Sequence, residues 1–155
     1  MEVSSMESKV GMLPQQLGIG WRVWVGAALV TLAMAWLYAD LVPGDCPVKW
    51  TPYVVAKLLL IAPALEEAAF RGGLQTLLLA RLPRHIGLFG ISLANVLASA
   101  AFAGTHVYFG SWHSAAVFLP SLVLGWVYER SEQLWTVILL HMAFNAAFLA
   151  VCFLN

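Results

Sequence analysis

Apolar residues run along this chain in five stretches, each closed by polar or helix-breaking residues. The first is Trp21–Val42, ended by Pro43-Gly44-Asp45. The second starts after Pro52 and covers Tyr53 to about Ala80. The third covers about Ile86 to Val107. The fourth, His113–Tyr128, is short, and the fifth is Leu134–Leu154. None alternates with period two, so strands are not predicted, and an open sheet edge has no hydrogen-bond partners in lipid. A helix that crosses a bilayer needs about 20 residues, most of them apolar. The pattern therefore predicts an all-α, polytopic membrane bundle of about five transmembrane helices, with room for a sixth. Residues 1–20 are polar and lack the apolar core of a signal peptide. They read as a cytoplasmic N-terminal segment, and residues 21–155 as a single transmembrane domain.

Composition sharpens this picture. Of 155 residues, 61% are apolar and 10% charged, against roughly 25% charged in ordinary soluble domains. Mean hydropathy is +0.82. So few charges cannot cover a solvated surface, which excludes a typical soluble enzyme, and a disordered chain would be far more polar. The net charge of zero offers no basic field, so no nucleic-acid partner is expected. Lysines and arginines mark the cytoplasmic side. With the N-terminus inside, Lys9, Arg22, Arg81, Arg84 and Arg130 fall inside and Lys49 alone outside. Trp21, Trp24, Trp50, Trp112 and Trp135 sit near predicted span ends, where interfacial aromatics belong. Cys46 and Cys152 are too few for a four-cysteine zinc site and leave a disulfide open.

Charge inside the spans is the first sign of chemistry. Lys57, Glu66, Glu67 and Arg71 all lie in the second stretch. Lys57 is near an end and can snorkel. Each charge at a bilayer centre costs about 2.5–3.5 kcal/mol on insertion scales. Glu67 and Arg71 are four apart in the favourable order for an i,i+4 pair. Glu66 is left without a local partner, a carboxylate free to exchange a proton. A purely structural ion cluster is the plainer alternative. Pro63 and Gly72-Gly73, which weaken the helix on both sides, are more than such an anchor requires.

Polar partners sit on other spans. The third stretch carries Phe102 and His106, the fifth His141 and Asn145, each pair spaced by four and so on one helix face. Asn95, Ser92 and Ser99 read as glue between helices. A glutamate, two histidines and an asparagine on three helices are the parts of a hydrolytic site. Glu66 and His106 could polarise a water, while His141 and Asn145 could hydrogen-bond a developing oxyanion. At a 1.5 Å rise per residue, Glu66 falls about 12 Å below the outer boundary, His106 roughly 0–6 Å and His141 roughly 18 Å. Helix tilt, or a third helix starting nearer Ile91, would narrow that spread. His85 reads as solvated in a cytoplasmic turn. His113 belongs at headgroup level, with a metal site shared with Glu66, His106 and His141 as the alternative.

In this order, Glu66-Glu67-x-x-x-Arg71, Phe102-x-x-x-His106 and His141-x-x-x-Asn145 resemble the three motifs of the CAAX protease and bacteriocin-processing family of intramembrane proteases. The stretch Gly125-Trp-Val-Tyr128 before Leu134-Trp135 is similar too. The resemblance implies a CAAX-type intramembrane endopeptidase of the glutamic kind in the bacterial inner membrane. Its substrate would be a membrane-associated protein or peptide, cut near its C-terminal or embedded part. Glu66 would be the base, His106 its partner on water, His141 and Asn145 the oxyanion donors, and Glu67, Arg71 and Phe102 the orienting set. It implies no metal, with zinc as the alternative. The chain is shorter than many relatives, which suggests a bacterial member that trims C-terminal sorting tails. Two other classes compete. A non-catalytic scaffold or regulator would not need all four site residues. A proton-coupled carrier would show paired repeats, and the sequence has none.

Overall fold

The computed structural model describes residues 25–26, 29–30, 32–33, 51–82, 90–110 and 112–154, and these form helices without β-strands. Of the first predicted span, residues 25–26, 29–30 and 32–33 are helical, and the rest of it lies outside the described residues. Helix α1 is a continuous run over residues 52–81. Regular turns at Pro52–Ala56, Ala62–Glu67 and Thr76–Arg81 alternate with wider turns at Lys57–Ile61 and Ala68–Gln75. Thr51 caps its start, with Oγ1 accepting from the Val54 N–H at 3.2 Å, and Pro52 follows at the first position, where no N–H is needed. The run ends at Leu82, which turns extended before Pro83, since a residue preceding proline is steered out of the helical region.

Helix α2 spans Leu93–Phe109; of the predicted stretch from about Ile86 to Val107, residues 86–89 lie outside the described residues and 90–92 precede the helix. Ser92 sets the later start, because its extended backbone and its Oγ, which accepts from the Asn95 N–H at 3.0 Å, make it the N-cap. The fourth stretch also differs. A tight turn at Trp112–Val117 precedes α3, Phe118–Ser131. Pro120 then falls in the first turn of α3, the part of a helix whose N–H groups have no internal partner. Helix α3 ends at Glu132, which takes φ 53° and donates its N–H to the Tyr128 carbonyl. Helix α4 follows at once, Leu134–Leu154.

Helix α1 touches α2, α3 and α4, and α3 packs between α2 and α4. A small apolar cluster of Leu124, Val127, Val137 and Leu140 joins α3 to α4. Ala94, Ala98, Phe102, Ala103 and Leu149 are also buried, but beside them the interior holds many polar groups: Glu67, Arg71, Gln75, Asn95 and Ser99 are all 0% exposed. The outside is apolar, with Leu60, Leu65, Leu119, Leu139 and Phe153 exposed. Buried polar groups and exposed apolar ones are the informative exceptions to the usual partition, and here both are abundant. Among the described residues one helix, Leu134–Phe153, is long and apolar enough to cross a membrane; Leu93–Phe109 is apolar but shorter. Cys152 is disulfide-bonded, while Cys46 lies outside the described residues.

Candidate active site

The site begins with the backbone of α1. Pro63 has no N–H, and its ring crowds the carbonyl four residues back. The helix answers with a wider turn, in which the Ala62 N–H reaches Lys57 O instead of Leu58 O. In the same wide register Pro63 would have served Leu58 O, and it has no donor to give. The orphaned Leu58 carbonyl is taken by Asn145 Nδ2 at 2.8 Å. One proline thus creates the acceptor that anchors a candidate residue from another helix. The second wide stretch carries Gly72 and Gly73, whose weak helix preference lets the turn loosen. There the Thr76 N–H and Oγ1 both turn back to Arg71 O, the hydroxyl at 2.8 Å. In a regular helix a step of four residues drifts by about 40°. The wider turns rotate less per residue, and Glu67, Arg71 and Gln75 stay on one buried face.

Arg71 is the hub. Its Nε donates to Glu67 Oε2 at 2.9 Å, Nη1 to Gln75 Oε1 at 3.2 Å, and Nη2 to the Ser121 carbonyl and hydroxyl at 3.0 and 2.6 Å. The predicted Glu67–Arg71 pair is therefore present, and both side chains are fully buried. Glu67 Oε1 meets His141 Nδ1 at 2.8 Å. A carboxylate held by arginine is an acceptor, so Nδ1 is the donor and the ring is fixed with Nε2 facing outward. Nε2 lies 3.7 Å from Glu66 Oε2. The predicted spread in depth between Glu66 and His141 is closed, and one imidazole touches both glutamates. Unlike Glu67, Glu66 keeps 30% of its side chain exposed.

His106 and Phe102 complete the group. His106 Nδ1 is 3.0 Å from the Phe102 carbonyl. A carbonyl only accepts, so Nδ1 donates there, and in the neutral ring Nε2 would keep a lone pair. Phe102 is buried and touches nearly everything around it. Its ring centroid lies 4.4 Å from that of His106, 5.9 Å from that of His141 and 5.1 Å from that of Phe70, with the Arg71 guanidinium 5.9 Å away. Glu66 is within electrostatic reach of His141, His106 and Glu67. His85 and the side chain of His113 lie outside the described residues.

Several polar residues around the site were not singled out by the sequence reading. Gln75 continues the i,i+4 series of Glu67 and Arg71, which is the signal that could have found it. Its Nε2 donates to Gly125 O at 3.1 Å and to Glu129 Oε1 at 2.8 Å. Ser92 Oγ also donates to Glu129 Oε1. Glu129, one residue past the fourth apolar stretch, is thus a half-buried member of the network. Asn95 does act as glue, donating to Leu122 O at 2.9 Å and accepting from Ser99 Oγ at 3.0 Å. Gly125 is needed at this crossing: a Cβ there would lie 2.0 Å from Asn95 Oδ1 and 2.8 Å from Gln75 Oε1. Among the described residues every buried side-chain nitrogen and oxygen has a hydrogen-bond partner. No group of three His, Cys, Asp or Glu side chains among them is placed to hold a metal ion.

The family described as type II CAAX prenyl endopeptidase Rce1-like matches residues 48–147, which contain every candidate residue above. No curated protein and no solved structure matches the chain.

Proposed function

This chain belongs to the type II CAAX prenyl endopeptidase Rce1-like family and is therefore a peptidase, and we propose that it cuts its protein substrate inside the bilayer with a water activated by Glu66. The contrast between the two glutamates carries this reading. Glu67 is fully buried and spent on Arg71 and His141, whereas Glu66 is partly open, with His141 Nε2 at 3.7 Å. In this reading a water sits between the Glu66 carboxylate and His106 Nε2. Glu66 takes its proton as the hydroxyl oxygen attacks the scissile carbonyl. The oxyanion is stabilised by His141, when protonated on Nε2, and by the second N–H of Asn145 Nδ2, whose first is held by Leu58 O. Glu66 then returns the proton to the leaving nitrogen as the C–N bond breaks. Glu67 and Arg71 orient His141, Phe102 separates the two imidazoles, and no metal takes part.

The apolar exterior and polar interior support a lipid setting, with about five spans, the N-terminus in the cytoplasm and a bacterial inner membrane as the location. The substrate is a membrane-associated chain cut near its C-terminal or embedded part, a sorting tail being the favoured type. The test is co-expression of the wild type or Glu66→Gln with a tagged candidate tail. Cleavage by the wild type and none by the variant, at equal membrane levels, is the expected result. Equal processing by both would sink the assignment.

A further inference from the structure

At the end of the hub away from Glu66, Gln75 closes a second set of polar contacts that the hydrolysis itself does not use. Its amide has one permitted orientation. Nε2 donates to Gly125 O at 3.1 Å and to Glu129 Oε1 at 2.8 Å, while Oε1 accepts from Arg71 Nη1 at 3.2 Å. Turned over, the amide would set N–H groups against the guanidinium and oxygen against a carboxylate and a carbonyl. The amide dipole is therefore held between a cation and an anion, and bonds to charged groups are the stronger ones. Glu129 is in turn fixed by Ser92, the cap of α2. A cavity lined by Thr76, Ser92, Tyr128 and Glu129 opens beside it, away from the glutamate pair.

These contacts form one chain of defined bonds across three helices. Glu129 and Gly125 set Gln75, Gln75 and Ser121 set the Arg71 plane, Arg71 sets Glu67, and Glu67 sets the His141 ring. We infer that Gln75 and Glu129 are positioning residues for the peptidase reaction, fixing through Arg71 and Glu67 the angle at which His141 Nε2 faces Glu66. The inference rests on the proposed catalytic role of Glu66. A misplacement of about 1 Å at a reacting group can cost about a hundredfold in rate.

The experiment uses the full chain in proteoliposomes and an internally quenched peptide with an apolar C-terminal segment that the wild type cleaves. Gln75→Leu and Glu129→Leu are expected to lower kcat by about ten- to a hundredfold with KM within about threefold. The double variant should be little worse than either single one, because both break the same chain. Glu129→Gln keeps an acceptor for Gln75 and Ser92 and should recover most of kcat. Asn95→Ala, buried in the same bundle but not bonded to Arg71, should lower the melting temperature and leave kcat near wild type. If Gln75→Leu does not fold, Gln75→Asn, which retracts the amide, is expected to show the same kcat loss. Wild-type kcat in the leucine variants overturns the inference, as does an equal kcat loss in Asn95→Ala. Glu66→Gln runs in parallel. If it is inactive while the leucine variants are normal, only the positioning inference falls; if it is active, the Glu66 reading falls and takes this inference with it.

Discussion

Replacing Arg71 by alanine removes four donor contacts at once, to Glu67 at 2.9 Å, to Gln75 at 3.2 Å and to the Ser121 carbonyl and hydroxyl at 3.0 and 2.6 Å. It leaves the Glu67 carboxylate fully buried, with His141 as its remaining partner. Breaking one side of a buried pair costs about 3–5 kcal/mol, because the surviving charge stays desolvated. At about 2–4 °C per kcal/mol for a domain of this size, the melting temperature should fall by about 6–20 °C. The measurement is thermal unfolding of the purified protein in detergent, followed by intrinsic tryptophan fluorescence. A paired variant separates the charge from the packing. Glu67→Leu with Arg71→Met removes both charges, and a buried pair replaced by apolar residues is often close to neutral in stability. His141 Nδ1 then lacks its acceptor, a loss of about 1–3 kcal/mol. The double variant should therefore melt above Arg71→Ala while being inactive. A melting temperature for Arg71→Ala within 2 °C or so of wild type would refute the hub. A double variant that melts lower still would show that the unpaired charge is not the cause.

Gly125→Ala places a methyl 2.0 Å from Asn95 Oδ1, an overpacking expected to cost about 1–3 kcal/mol; an unchanged melting temperature in detergent would count against the close crossing. Asn145→Ala strips Leu58 O of its donor and should lose about 1–3 kcal/mol. In a Pro63→Ala background, where a backbone N–H is restored, that loss should shrink, and a thermal double-mutant cycle showing strict additivity would contradict the link. Chelators should leave peptide cleavage intact, so activity lost on chelation and restored by added zinc would replace the carboxylate mechanism with a metal one.

The apolar stretches fixed the helical class and most of α1, because twenty-odd residues without polar alternation have few other solutions in this composition. The Glu67–Arg71 pair was legible from spacing alone, since four residues along a helix set two side chains side by side. The later start of α2 was also within reach, as Ser92 is a capping residue placed just before an apolar run. What spacing could not give was the wide turns. Pro63 marks where α1 is disturbed, but whether it kinks, breaks or widens depends on who receives the freed carbonyl, and that partner, Asn145, lies on another helix. Nor could it place Glu129, which looks like any charge at a span end until Gln75 and Ser92 are seen bonded to it.

The length of α1 has a consequence for whatever is cut. Its run over residues 52–81 is at most about 45 Å long, and Glu66 stands near its middle, about 20 Å from either end. An extended peptide gains about 3.3 Å per residue. With Glu66 as the base, as proposed, and α1 crossing the bilayer, a substrate entering from either surface would unwind some six or seven residues before its bond reached the carboxylate. On that proposal, chains anchored closer to the headgroups would be spared by reach alone, whatever their sequence, and the length of the tether would be the ruler for selection.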